Sequence, residues 1–420
     1  AFIYHLIFSI TCFAIPFSQI SNPGETEFGL FNYSKLKLIG PFGFYHLFLF
    51  GFIFFKIKDK INFRGDNLLK FLYNFFLYIS IFGIFFGLIG VVFFEYYLTH
   101  FISYSVYVIT ILAHLILILK FNSKFFLDKI FKIVVSVLIA APIATLITYL
   151  LGYSSSYGSK DISIINEAGY FSVILIFCIF QFKKFWLPLF SVLIYFYFLG
   201  DGGMGGKGIV IALIVCLLFF IKSLMKKKTN IKTRYVFIRY IIYPLVIISV
   251  LNYLASYTED YNLFAFKFDS VLSLVYIFDG TSFFHLIPES PRIRIISLMN
   301  ILYEQIQNPI NLFLGSGFGS FFNDNFNFFG NMQMTNAFRD VEISSGKYGR
   351  PHDTIAAVPL ANGLLGLYFI FKLTFKYLQR GLKYNFLAFG AIPWLGLAFY
   401  YNPQFALVGL LMVFASFKKI

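Results

Sequence analysis

The residues best suited to acid–base chemistry are a histidine and an aspartate that stand side by side, His352 and Asp353, directly after Arg350 and Pro351. A neutral imidazole accepts a proton near neutral pH, and a neighbouring carboxylate orients the ring or takes the proton itself. The guanidinium of Arg350 adds a binding group for an anion. Pro351 fits the first turn of a helix. The four residues are typical either of a site that removes a proton close to a negatively charged group or of a structural histidine at a helix start.

Two more cations stand at the start of a predicted helix, residues 290–308. Ser290 is suited to cap this helix and is followed by a proline at the first helical position. A second proline, directly after Asn308, ends it. Arg292 and Arg294 lie in the first turn, where they oppose the helix dipole but form an anion site with the free N–H groups. The alternative interpretation is a pair of solvated arginines near anionic lipid.

The periodicity of the same segment predicts an amphipathic helix that lies outside the membrane, with its arginines facing the start of the tenth span. The predicted apolar stripe consists of Ile295, Leu298, Met299, Leu302 and Ile306. The predicted polar face consists of Ser297, Asn300, Glu304, Gln307 and Asn308.

Alternating glycines form the third candidate feature. Gly315, Gly317 and Gly319 allow a tight turn and a close approach of the backbone to another group. They do not match the phosphate-binding pattern GxxxxGK[ST].

The composition indicates whether the chain is a soluble or a membrane protein. The chain has 420 residues, of which 59% are hydrophobic and 13% charged, too few charges for a soluble protein of this length. The net charge of +15 would suit nucleic acid. Its lysines and arginines, however, lie in short blocks between apolar segments, as membrane topology requires. We therefore expect a membrane protein with no nucleic-acid partner.

Apolar segments bounded by charges and turns predict an all-α, polytopic membrane protein of about twelve transmembrane helices. Nine of them fall in residues 1–255, a large loop follows at 256–351, and three more fall in 352–420. The predicted spans are 3–20, 38–55, 71–94, 101–119, 133–151, 168–182, 185–200, 208–221, 235–255, 354–371, 384–400 and 402–417. Since the basic blocks occupy alternate loops, both termini are predicted to be cytoplasmic and the large loop extracytoplasmic.

The candidate residues resemble a known pattern. His352-Asp353, nine residues, Gly363, two residues and Gly366 is similar to the signature H-[NSQ]-x9-G-x2-[GTY] of O-antigen ligases, in the superfamily that includes O-antigen polymerases. Asp353 departs from that signature. The spacing from Arg294 to Pro309, followed by a Gly-x-Gly turn, also resembles the superfamily, whereas Lys207 stands where it often has Arg.

The resemblance implies a glycosyltransferase of GT-C-like fold that acts in the bacterial inner membrane with its active site in the periplasm. It implies an inverting, metal-independent transfer of a glycan from undecaprenyl diphosphate to a sugar hydroxyl, without a cofactor. His352 or Asp353 would be the base. The cations for the diphosphate would be Arg292, Arg294, Lys207 and Arg350.

O-antigen polymerase is the favoured activity, with O-antigen ligase as the alternative. A flippase or transporter fits less well, because the spans are nearly free of charge and no internal repeat is visible. The implied partners are lipid-linked oligosaccharides as donor and acceptor, membrane lipid, and a protein that regulates chain length.

Lysine substitution should show which of the two arginines contacts the diphosphate. Residues two apart do not share a helix face, so we expect only one of them to do so. Lys cannot make the paired contact of Arg with a diphosphate, so the variant of the contacting residue should lose most of its turnover. Polymer formation from purified lipid-linked repeat units measures this for Arg292→Lys and Arg294→Lys. Normal polymerisation by both variants would remove the diphosphate assignment.

Overall fold

The computed structural model describes residues 16–18, 26–28, 37–63, 66–120, 289–329, 340–349 and 354–383, with single positions at 129, 132, 136, 287, 338 and 351. Helix accounts for 73% of the described residues. The helices are α1 (Phe44–Phe55), α2 (Asn67–Phe93), α3 (Leu98–Lys120), α4 (Glu289–Ile306), α5 (Pro309–Leu314), α6 (Asp340–Ser345) and α7 (Thr354–Lys383).

Within the described residues, six short strands form three antiparallel pairs. They are β1 (Pro16–Ser18) with β2 (Thr26–Phe28), β3 (Lys37–Ile39) with β4 (Phe42–Gly43), and β5 (Phe322–Asn323) with β6 (Lys347–Tyr348). The last pair joins two distant parts of the predicted large loop.

Three helices are long and apolar enough to cross a membrane: α2, α3 and the segment Thr354–Arg380 of α7. They confirm the predicted spans 71–94, 101–119 and 354–371. The predicted basic loop after 371 is wrong, because α7 continues to Lys383. Lys and Arg are good helix formers whose charged ends reach water from a helix end, so a basic block need not end a helix.

The predicted span 38–55 is wrong in its first part. Residues 37–43 form the β3–β4 hairpin, with a turn at Gly40 (φ 55°), and α1 is only 12 residues long. A helix of that length extends about 18 Å, short of a hydrocarbon core of about 30 Å. The end of the predicted span 3–20 is likewise a strand, β1. The remaining predicted spans lie outside the described residues, apart from Ser136 in 133–151.

The membrane helices pack around α2. This helix lies against both α3 and α7, and α1 packs on α3. The contact between α2 and α3 buries large apolar side chains of both helices. They include Leu72, Phe75, Phe76, Ile79, Ile111 and Leu115.

Polar contacts join the basic segments at one end of this bundle. Arg380 of α7 forms an ion pair with Asp66, directly before α2 (2.9 Å). Lys120, the last residue of α3, donates to the carbonyl oxygens of Lys56 (2.6 Å) and Asp59 (2.7 Å). Three basic segments that the sequence assigns to one side therefore do meet at one end of the helices. The segments from the large loop pack at the opposite end.

The predicted helix 290–308 is present as α4, but its details differ. It begins at Glu289, so Ser290 lies inside the first turn and is not the cap. It ends at Ile306, and Asn308 caps a second helix, α5, by accepting the Ile310 N–H (3.1 Å). A proline after a capping residue starts a helix as well as it ends one.

The predicted faces of α4 are only partly correct: Ile295 and Met299 do pack against a buried core, and Gln307 and Asn308 are exposed. The buried side chains are Ile293, Ile296, Ser297, Asn300, Ile301 and Gln305, while the predicted apolar stripe is partly exposed and Ile306 is 66% exposed. The isoleucines join a small core with Phe322, Phe329 and Tyr348 that also includes Ala356 and Leu360 of α7. Gln305 is buried where it donates to the Pro359 carbonyl of α7 (2.6 Å). Asn300 is buried where it accepts the Asn325 N–H of the loop (2.8 Å).

Asp66→Ala should destabilise the bundle, because Asp66 both pairs with Arg380 and caps α2. Its side chain accepts the N–H of Leu68 (2.8 Å), and loss of such a cap costs about 1 kcal/mol. Thermal unfolding in detergent measures the effect. Asp59→Ala is the control, since Asp59 forms only a half-exposed pair with Lys56. Equal losses for the two variants would contradict this interpretation.

Candidate functional site

The site is built on a break in α7. Gly363 has φ 62° and ψ −166°, which interrupts the helix nine residues after its start. In a regular helix the carbonyl of residue i accepts the N–H of residue i+4, so a break here frees the carbonyl oxygens of 359–361. Each of them accepts a hydrogen bond from the loop. The bonds are Gln305 Nε2 to Pro359 O (2.6 Å), Ser316 N to Leu360 O (2.8 Å) and Gly317 N to Ala361 O (3.0 Å).

The sequence predicts a kink at Pro359 that frees one carbonyl. The non-helical residue is instead Gly363, and three carbonyl groups are paired with the loop. The sequence also predicts close packing at Gly363 and Gly366, since glycines in a membrane helix let backbones approach. Gly363 does allow a close approach: a Cβ there would lie 2.4 Å from the Phe313 carbonyl group. The other predicted packing glycine, Gly366, has its nearest neighbours in its own helix.

The alternating glycines form the predicted tight turn, with φ 80°, 85° and 86° at Gly315, Gly317 and Gly319. The turn lies between α7 and α2. A Cβ on Gly317 would be 2.1 Å from the backbone nitrogen of Gly87, and the Phe318 N–H donates to the Gly83 carbonyl (2.8 Å). The predicted close approach of this backbone is therefore to two helices.

Gly83 and Gly87 are residues of the site that sequence reasoning missed. A Cβ on Gly83 would lie 2.4 Å from the ring of Phe318, so the missing side chain makes room for that ring. The available signal is the pattern G-x-x-x-G inside an apolar segment, which is typical of close packing in membranes. Here the pattern receives a turn instead of a second helix.

Tyr96 anchors the turn from the connection between α2 and α3. Its ring lies on Gly90 and its side chain shares a hydrogen bond with Ser316. Burial raises the pKa of Tyr96, and this effect exceeds the lowering by the hydrogen bond. The phenol therefore stays protonated at neutral pH.

Asp324 has a structural role in the loop. It accepts the backbone N–H of Phe328 (3.1 Å) and Phe329 (2.7 Å), and Asn300 of α4 donates to it (3.3 Å). Glu304 accepts from the backbone of Asn323 (2.8 Å). These bonds fold residues 323–329 onto α4. Within the part of the chain that the structure describes, no group of three His, Cys, Asp or Glu side chains is placed to hold a metal ion.

A small pocket opens between the glycine turn and the start of α7. It is lined by Tyr104, Gly317, Phe318, Gly319, Ser320, Gly349, Pro351, Ala357, Leu360 and Ala361. Its volume of about 10 Å³ is close to the space that one water molecule requires. Pro351 directly precedes His352, so the pocket joins two predicted features, the turn and the segment that leads to the histidine.

The other predicted site residues are only partly placed. Arg292 and Arg294 lie in the first half of α4, and both are partly buried. Lys207, Arg350, His352 and Asp353 lie outside the described residues. The structure thus brings together the glycine turn, α4 and Pro351 around the first half of α7, and the roles of the cations and of the base stay predictions.

Comparison with models of known protein families finds no match to the chain. No curated protein matches it, and no solved structure does.

Gly317→Ala should prevent the turn from seating between α2 and α7, because the new methyl group would collide with the backbone at Gly87. We expect a large loss of folded protein, measured by size-exclusion chromatography and thermal unfolding in detergent. Gly346→Ala is the matched control, since Gly346 also has positive φ (67°) but open space around it. Backbone strain alone should cost about 1 kcal/mol there. Similar losses for both would mean that strain, and not the collision, is responsible.

Proposed function

We propose that this protein is a membrane glycosyltransferase that uses lipid-diphosphate-linked glycans, and specifically an O-antigen polymerase. The observation that supports it best is the pocket between the glycine turn and Pro351. It puts the segment leading to the predicted base beside a backbone turn that the loop and three membrane helices hold in place. The resemblance of His352, Asp353, Gly363 and Gly366 to the superfamily signature supplies the chemistry.

In the proposed reaction a sugar hydroxyl attacks the anomeric carbon of the donor glycan. The bond from that carbon to the lipid diphosphate breaks, and the configuration inverts. The hydroxyl proton passes to His352 or Asp353. The diphosphate leaves with additional negative charge, which the arginines at the start of α4 would balance. Because α4 packs on α7, a cation there would act in the same region as the proposed base.

We further propose that the basic end of the bundle is cytoplasmic and the glycine turn extracytoplasmic. The meeting of three basic segments at one end supports this orientation, since lysines and arginines collect on the cytoplasmic side. The proposed location is the bacterial inner membrane, with about twelve spans and both termini in the cytoplasm. The loop residues 289–349 then face the periplasm, where lipid-linked repeat units are used.

His352→Ala should abolish polymer formation while leaving the protein folded, whereas Asp353→Asn should keep partial activity if Asp353 only orients the ring. The assay is polymer formation from purified lipid-linked repeat units. A neutral imidazole is the active form, so wild-type activity should fall as the pH drops below the histidine pKa, for which the reference value is about 6.5. Full activity of His352→Ala would exclude it as the base, and an inactive Asp353→Asn beside it would move that role to Asp353.

The same purified system separates polymerase from ligase. A polymerase lengthens lipid-linked repeat units when these are the only glycan present, whereas a ligase requires lipid A–core as acceptor. In a deletion strain, loss of a polymerase leaves core that carries single repeats, and loss of a ligase leaves uncapped core with accumulated lipid-linked polymer. A requirement for lipid A–core in the purified system, together with uncapped core in the deletion strain, would show that the protein is a ligase and not a polymerase.

A further inference from the structure

The start of α3 holds both walls of the pocket. The backbone N–H of Tyr97 donates to the carbonyl of Gly319 in the glycine turn (3.2 Å). The hydroxyl of the same residue lies 3.1 Å from Ser345 Oγ and donates to the carbonyl of Lys347 (3.3 Å). One residue therefore sets the position of the turn relative to the segment that leads from α6 to Pro351.

Gly349, in that segment, is enclosed between two buried ionisable side chains. On one side is His100, the third residue of α3 and 3% exposed: a Cβ on Gly349 would lie 2.5 Å from its Nδ1. On the other side is Glu342 of α6, 2% exposed, whose Oε1 accepts the Gly349 N–H (2.7 Å). Neither side chain belongs to the catalytic residues that the sequence suggests.

We propose that His100 and Glu342 are positioning residues for the transfer reaction, acting as a clamp on Gly349. The clamp fixes the direction in which the chain leaves Gly349 towards Pro351 and the adjacent His352. This proposal rests on the proposed function. A displacement of about 1 Å at a reacting group can lower the rate about 100-fold. Tight packing around Gly349 would limit such a displacement.

The geometry allows a test in which the contact itself is changed. Gly349→Ala adds a methyl group directed at the His100 ring, and we expect kcat to fall about tenfold or more, with the yield and unfolding temperature kept. Gly51→Ala is the control, because a Cβ on Gly51 has open space around it and should change nothing. Normal kcat for Gly349→Ala would overturn the proposal, as would a loss that follows the unfolding temperature.

The double variant Gly349→Ala/His100→Ala distinguishes a clamp from two independent effects. Removing the ring makes room for the methyl group, so the double variant should have a higher kcat than Gly349→Ala alone. Losses that simply multiply would show that the contact is not the cause. Glu342→Gln keeps an oxygen for the Gly349 N–H and should stay near wild type, whereas Glu342→Leu should behave like Gly349→Ala. If Glu342→Gln falls as far as Glu342→Leu, the charge of Glu342 matters and the positioning role is wrong.

A second measurement tests the clamp independently of the proposed function. If the wild-type protein makes no polymer from lipid-linked repeat units, the proposed function fails. The contact is then judged by modification of His100 with diethyl pyrocarbonate, followed by mass spectrometry. His100 should be protected in the wild-type protein and become reactive in Glu342→Leu, where Gly349 loses its hydrogen bond. Equal reactivity in the two proteins would overturn the clamp irrespective of activity.

Discussion

The described part of the molecule depends on the hydrogen bonds between the broken helix α7 and the loop. Three consecutive carbonyl groups, 359–361, lose their helical partners at Gly363 and accept donors from Gln305, Ser316 and Gly317 instead. An unpaired backbone group in an apolar surrounding costs several kcal/mol, so a break in a membrane helix persists only where other groups satisfy it. The break and the loop therefore stabilise each other: α7 would regain its helical bonds without the loop, and the turn would lose its acceptors without the break.

This mutual pairing explains features that the separate elements do not. The turn reaches Gly83, which lies ten residues before the end of α2, or about 15 Å along the helix. Non-helical backbone at that depth is tolerated because protein surrounds it. The pairing is still incomplete, since Gln305 Oε1 and Asn362 Oδ1 are buried near the break without a hydrogen-bond partner in the described structure. A buried polar atom without a hydrogen bond costs about 1–3 kcal/mol of stability, so the break lowers the stability of the fold locally.

The sequence predicts those parts of the structure that follow from local pattern. The spans at α2, α3 and α7 are long apolar segments. The cap-proline signal near Ser290 marks a real helix start within one or two residues, and the proline after Asn308 predicts the end of α4 but not the start of α5. The β3–β4 hairpin is missed because Leu38, Ile39 and Phe42 make it look like the start of a span. The buried face of α4 is missed for a different reason. Hydrophobicity predicts which side avoids water, but Gln305 is buried because it pairs with the Pro359 carbonyl of α7, and Asn300 because it pairs with the loop at Asp324 and Asn325. Likewise, nothing near Gly349 in the sequence indicates His100, since that contact exists only once α3 and α6 have come together.

The two ends of the helix bundle are held by different kinds of contact. At the basic end, long side chains such as Lys120 and Arg380 bridge the segments, and such chains adjust when a helix shifts slightly. At the other end, backbone meets backbone at Gly317 and Gly363, and Gly349 lies against the ring of His100; a methyl group has no room at any of the three. Positions near the glycine contacts are therefore defined much more closely than positions near the lysines. Reacting groups need such definition, and sites built on rigid elements supply it. The proposed reaction would thus take place at the end of the described helix bundle where glycine contacts, and not long side chains, hold the backbone.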